Sequence, residues 1–170
     1  SNDSENEILS DVNFTDANYK VIHTEKEISE FSKKILYAKE ASFSFSTTSL
    51  NAINAKIIGL SFALSAGEAY FLELDENASN YSKILNLCKN FFESDRISKI
   101  GHNLKFAFVI LGNYGIKLKG ELFDTMLAHY IIQPELRHNL SYLAEIYFKF
   151  SITSLENYFG AKWQEERDMR

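Results

Sequence analysis

The groups in this chain that could carry metal or acid–base chemistry are few in kind and scattered in sequence. His102, His129 and His138 offer imidazole nitrogens, but their spacing matches no ligand motif. They read as ordinary surface or loop histidines. Cys88 is the one cysteine. It excludes an intramolecular disulfide and any zinc site built on several thiolates, and it suits a reducing compartment. Asp124 stands before Thr125-Met126-Leu127 and reads as a helix N-cap. Glu40 and Glu68 lie beside strand-like runs and read as solvated. Lys99, Lys105, Lys117 and Lys119 form a locally basic stretch. Such a stretch could meet phosphates, but it reads more simply as a solvated face.

These residues need elements to position them. Tyr19-Lys20-Val21-Ile22 reads as a short strand, and Thr24 three residues before Glu27 is a capping-box pattern. Ile28, Phe31, Ile35 and Leu36 then recur at helical spacing. Residues 41–46 alternate strictly, with Phe43 and Phe45 on one face and Ser42, Ser44 and Ser46 on the other. Residues 56–65 and 69–74 are two further strands, joined by a hairpin at Ala66-Gly67-Glu68. This first half predicts a small antiparallel sheet. Tyr81 to Phe92 carries a helical stripe, 97–101 is a short strand ending in Gly101, and Asn103 to Tyr114 is a buried helix that Gly115 can stop. Asp124 opens a helix through Ile132, before Pro134, and residues 140–150 form another. Strands alternating with helices after a meander predict an α/β fold, with a mixed β-sheet flanked by helices.

Composition bounds the rest. The chain has 170 residues, enough for one self-supporting domain. The net charge is −5, yet residues 1–16 hold five acids and no Lys or Arg. Residues 1–18 read as a flexible acidic lead-in or linker, and residues 19–170 as the domain. The balanced body excludes an obvious polybasic nucleic-acid binder. No apolar run approaches the roughly 20 residues that span a bilayer. A cytoplasmic location without membrane contact is expected.

Several segments, in order, carry a resemblance: residues 100–106, Ile-Gly-His-Asn-Leu-Lys-Phe; residues 111–116; residues 122–134, Leu-Phe-Asp-Thr-Met-Leu-Ala-His-Tyr-Ile-Ile-Gln-Pro; and His138-Asn139-Leu140 with Tyr142 to Glu145. Ser49-Leu50 and residues 58–63 fit the same series. Together they resemble the 3′–5′ proofreading exonuclease domain of bacterial DNA polymerase I, in a form closest to that of Bacteroidetes. The resemblance implies a ribonuclease-H-like fold. It also implies phosphodiester cleavage with two divalent metals, Mg²⁺ or Mn²⁺, in active relatives. Two metals about 4 Å apart activate the attacking water and stabilise the leaving oxygen. They require oxygen ligands, chiefly carboxylates.

The positions that match the family's carboxylates are not carboxylates here. Where active relatives read Phe-Asp-Thr-Glu-Thr, this chain reads Phe43-Ser44-Phe45-Ser46-Thr47, so Ser44 and Ser46 stand for the Asp and Glu. Where relatives read Asn-Leu-Lys-Tyr-Asp, this chain reads Asn103-Leu104-Lys105-Phe106-Ala107, so Ala107 stands for the last Asp. The third motif's Tyr and Asp are not found in Trp163 to Arg170, which places the end of the chain before that motif. The expectation is a catalytically inactive domain with no bound metal. Natural decay and deliberate inactivation would both give this pattern, and the drift at Phe45 and Phe106 favours decay. The resemblance also implies weak contacts to a single-stranded DNA 3′ end from Thr47, Leu50, His102, Asn103, Lys105, Phe106 and Leu155. Asn103 has a second reading as a helix cap, and Leu50 a second reading as a strand-end core residue. The implied partner is the polymerase domain of the same full-length chain. Two other readings stay open: a working exonuclease whose ligands come from unaligned residues such as Asp124 or from sequence beyond residue 170, and a non-enzymatic DNA- or protein-docking module.

Overall fold

The computed structural model describes residues 18–152. The acidic segment up to residue 17, Leu155 and the Trp163–Arg170 end lie outside them. Six strands, β1 (Asn18–Ile22), β2 (Glu40–Thr47), β3 (Ile57–Ser65), β4 (Glu68–Glu73), β5 (Ser98–Gly101) and β6 (Leu122–Asp124), form one sheet in the order β1-β4-β3-β2-β5-β6. The β2–β3 and β3–β4 pairs are antiparallel, as the meander predicts. That antiparallel meander is the centre of a larger mixed sheet, as the fold-class expectation has it. β1 pairs parallel with β4, while β5 and β6 add in parallel beyond β2, giving a single mixed sheet. These pairings join segments far apart in sequence, and no local pattern encodes them.

Five helices are described: α1 (Glu25–Leu36), α2 (Tyr81–Phe92), α3 (Leu104–Asn113), α4 (Thr125–Ile132) and α5 (Leu140–Phe148). Thr24 and Glu27 cap α1 reciprocally, which satisfies two of its free N–H groups. α5 stops at Phe148 because Lys149 turns left-handed, two residues before the expected end. No described helix is long and apolar enough to cross a membrane.

Alternation along β2 sends Phe43 and Phe45 to one side, where α1 and α2 bury the sheet. Phe43, Phe62, Phe91 and Phe92 form the centre, with edge-to-face ring pairs 4.9–6.4 Å apart. Ala107, Ile110 and Leu111 bring α3 into the same core. By contrast, α4 and α5 lie outside this cluster. They border the face that carries Ser42 and Ser44.

Lys99 corrects the solvated-face reading of the basic stretch, because its side chain is fully buried. Its Nζ donates to the Lys119 carbonyl at 2.7 Å and to the Ser94 carbonyl, and sits 5.6 Å from the Phe91 ring centroid. Burial pushes this ammonium down from its ordinary range, against the pull of Asp95. Gly120 makes the arrangement possible. It has φ +82, and a Cβ there would meet the Ser94 carbonyl at 2.9 Å and Lys99 Nζ at 3.1 Å. Lys99 therefore ties the α2–β5 and α3–β6 connections together. Lys99→Met leaves two part-buried carbonyls without their donor and is expected to lower stability by about 1–3 kcal/mol in urea unfolding. A neutral result would show that the lysine is dispensable.

Candidate functional site

The site is built where β5 ends. Gly101 leads into His102 and Asn103, and α3 starts at Leu104. A Cβ at Gly101 would lie 2.5 Å from the end of the Leu104 side chain, so the glycine lets that leucine pack over the turn. Asn103 adopts φ 66, a left-handed conformation that Asn tolerates. Its Oδ1 accepts the Phe106 N–H at 3.4 Å, so the capping reading of Asn103 holds structurally.

β6 runs beside β5, with Gly101 opposite Asp124. Asp124 does more than cap its own helix. Its carboxylate accepts the N–H groups of Met126 (2.9 Å) and Leu127 (3.3 Å) from α4, and also those of Asn103 (3.1 Å) and Leu104 (2.7 Å) at the start of α3. Burial pushes this carboxyl upward. The N–H groups of Leu104, Leu127, Asn103 and Met126 together outweigh that and hold it below the usual carboxylate range.

Beside it, the Thr125 hydroxyl donates to the Gly101 carbonyl at 3.2 Å, which leaves its oxygen to accept from His102 Nδ1 at 2.9 Å. Nε2 is buried. Burial pushes the His102 imidazole down, against the nearby Asp124 charge. His102 is therefore a loop histidine, in the β5–α3 turn, but a positioned and half-buried one.

A cavity of about 270 Å³ opens between β2, the loop after it and the start of α3. Ser44, Thr47, Leu50, His102, Asn103, Phe106 and Ala107 all line it, with Phe43, Phe45 and Leu104 behind. Positions from two stretches more than 50 residues apart in sequence thus converge. A second cavity of about 280 Å³ shares Phe43, Ser44 and His102, and continues along Ser42, Ser61 and Ala63 to Leu140. Ser46 follows Ser44 two residues on, half-buried on the same strand face, but it does not line the first cavity. Lys105 is exposed and lines neither. Leu50 is 74% exposed, which corrects its reading as core. Its loop is pinned to the end of α3, where Asn113 Nδ2 donates to the Ala52 carbonyl at 2.8 Å and the Ile53 carbonyl at 3.2 Å.

The donor set does not suit a pair of hard cations. The lining offers neutral hydroxyls, an imidazole and an amide, and no carboxylate. Among the described residues, no group of three His, Cys, Asp or Glu side chains is arranged to hold a metal. Sequence reasoning missed Thr125, Leu140 and the second role of Asp124. Thr125 and the second role of Asp124 depend on β6, which is only three residues long and carries too little pattern to announce itself, and Leu140 reaches the cavity only through the folded course of the α4–α5 connection.

A mixed sheet in this order, with a cleft at the ends of β2 and β5, is the ribonuclease-H-like architecture of 3′–5′ exonucleases. The catalytic core of RRP6 from Trypanosoma brucei superposes with a TM-score of 0.67, at 14% identity, covering 95% of this chain and 44% of that one. Brucella melitensis NrnC with bound Mg²⁺ superposes with a TM-score of 0.60, also at 14% identity, covering 90% and 78%. In sequence, DNA polymerase I of Borreliella burgdorferi is 33% identical over 145 residues, which is 82% of this chain and 16% of that protein. The profile of the family described as 3′–5′ exonuclease matches residues 19–169. The chain belongs to this family, as the 3′–5′ exonuclease domain of a DNA polymerase I. It spans about a sixth of the length of the curated relatives it matches.

Asp124→Ala is expected to cost about 2–4 kcal/mol at neutral pH, because two helix starts lose their shared acceptor. The carboxyl is depressed in the folded state, so its contribution is present above the unfolded value of about 3.9 and fades as pH falls through the folded value. Urea unfolding of both proteins at neutral and acid pH measures this. The gap should narrow below about pH 4, and a pH-independent gap would contradict the charge assignment.

Proposed function

We propose that this domain is a catalytically silent 3′–5′ exonuclease domain, serving as a structural module of a DNA polymerase I polypeptide in replication and repair. One observation carries the reading. Ser44 and Ala107, at two positions where active relatives place metal-binding carboxylates, face a common cavity that offers no carboxylate. A two-metal reaction depends on that negative charge to gather its cations. Each ~1.36 kcal/mol of lost transition-state stabilisation is a tenfold loss in rate, and three absent ligands remove many such factors. Ser46, the third position, adds only another neutral hydroxyl.

The reading of Asp124 as a substitute ligand finds no support. Its oxygens already serve four backbone N–H groups. What the cleft retains is a hydroxyl- and ring-lined trough in which Thr47, Leu50, Asn103 and Phe106 can touch a single-stranded DNA end weakly. The domain comprises residues 19–170, preceded by an acidic lead-in, and works in the cytoplasm.

The structural role draws support from α4. Leu127, Tyr130, Ile131 and Ile132 are exposed, the last two at 74% and 72%, beside exposed Phe123 on β6. An apolar face of this kind suits packing against the rest of the polymerase polypeptide. The test is a degradation assay with 3′-labelled single-stranded DNA and Mg²⁺ or Mn²⁺. No nucleotide release above background is expected from the 170-residue chain. Metal-dependent release abolished by a chelator would overturn the proposal.

A further inference from the structure

The reading of the cleft leaves a pair of imidazoles unused. His129, on α4, is only 6% exposed, which corrects its reading as a surface histidine. His138 lies half-buried in the connection between α4 and α5. Their Nδ1 atoms stand 2.7 Å apart and their rings meet edge-on at 4.9 Å.

That separation requires exactly one proton between the two nitrogens. Its place follows from His129 Nε2, which is buried and has no hydrogen-bond partner. A proton on His129 Nδ1 leaves Nε2 as a bare lone pair. The opposite tautomer would bury an N–H without an acceptor, the costlier arrangement. His129 therefore donates and His138 accepts.

A second proton has no acceptable place while the pair is closed. On His138 Nδ1 it removes the acceptor and sets two N–H groups against each other. On His129 Nε2 it creates a buried, unpaired cation. The surroundings offer no relief. Tyr130 of α4 faces His138 at 5.2 Å, and Tyr147 of α5 faces His129 at 5.8 Å, both as ring contacts. From the β5–α3 turn, the His102 imidazole hydrogen-bonds the His138 backbone, with Asp124 near His102. Asp124 is itself held by four N–H groups, and no salt bridge reaches either imidazole of the pair among the described residues.

The pair sits at a point of leverage. Asn139, next to His138, caps α5 by accepting the Tyr142 N–H at 2.8 Å. Leu140, the first residue of α5, lines the cavity shared with Ser44 and His102. We propose that the His129–His138 pair is an acid-sensitive latch that seats the α4–α5 connection and the Leu140 wall against the cleft. Closed, the pair holds one shared proton. Taking up a second proton separates the rings and releases the connection. Acidification therefore favours the open form, because the open form binds more protons. The latch does not depend on whether the cleft is catalytically silent.

The test uses the 170-residue chain, with long-range ¹H–¹⁵N imidazole spectra and amide exchange recorded between about pH 7.5 and 5. At the upper end, His129 should show the Nδ1–H tautomer and His138 the Nε2–H tautomer. On acidification both should change together. An opening linked to one proton shifts about tenfold per pH unit, so opening of residues 133–139, read by exchange corrected for its intrinsic pH dependence, should rise by that factor. In His138→Gln the side-chain carbonyl still accepts from His129 but cannot take the second proton, so the connection should stay protected down to the lower pH. Independent titration of the two histidines would overturn the latch. So would the same pH-dependent opening in His138→Gln.

Discussion

The geometry of the cleft depends on one carboxylate shared by two helices. α3 and α4 both begin where β5 and β6 end, and each brings first-turn N–H groups that have no acceptor within their own helix. Asp124 supplies that acceptor to both. The positive ends of the two helix dipoles also point at it, which favours the ionised form. Fixing the start of α3 sets where Asn103, Phe106 and Ala107 lie against β2. Asp124 is thus a structural anion. Its four N–H partners give it a task in holding the fold, whatever chemistry the cleft does.

That separation explains how a frame and its chemistry can part. The sheet is held by the aromatic core of Phe43, Phe62, Phe91 and Phe92, and its far connections by Lys99 against backbone carbonyls. Neither Ser44 nor Ser46 belongs to that core, and Ala107 joins it only as a small apolar residue. Carboxylates at Ser44, Ser46 and Ala107 would crowd like charges together, and serine and alanine avoid that repulsion. The result is a cleft with the expected shape and a neutral lining.

Local patterns made much of this legible in the sequence. Alternation in β2 told which face Phe43 and Phe45 take, Thr24 with Glu27 marked the start of α1, and Asp124 marked the start of α4. The convergence of Ser44, Thr47, Leu50, His102, Asn103, Phe106 and Ala107 was legible only through ordered family motifs, since no periodicity joins residues 44 and 107. What stayed hidden depended on partners distant in sequence. The Lys99 side chain looks like any solvated lysine until Ser94 and Lys119 close around it. His129 and His138 look unrelated until the α4–α5 connection folds back. β6, at three residues, is defined only by its pairing with β5.

The central claim is that the cleft keeps its geometry while its residues no longer attract metal. Restoring the charges tests both halves at once. Ser44→Asp combined with Ser46→Glu places two carboxylates on one face of β2, at positions that are not buried. Calorimetric titration with Mn²⁺ should give saturable binding in this double variant and only heat of dilution in the native chain. Saturable binding of two ions by the native chain would contradict the account.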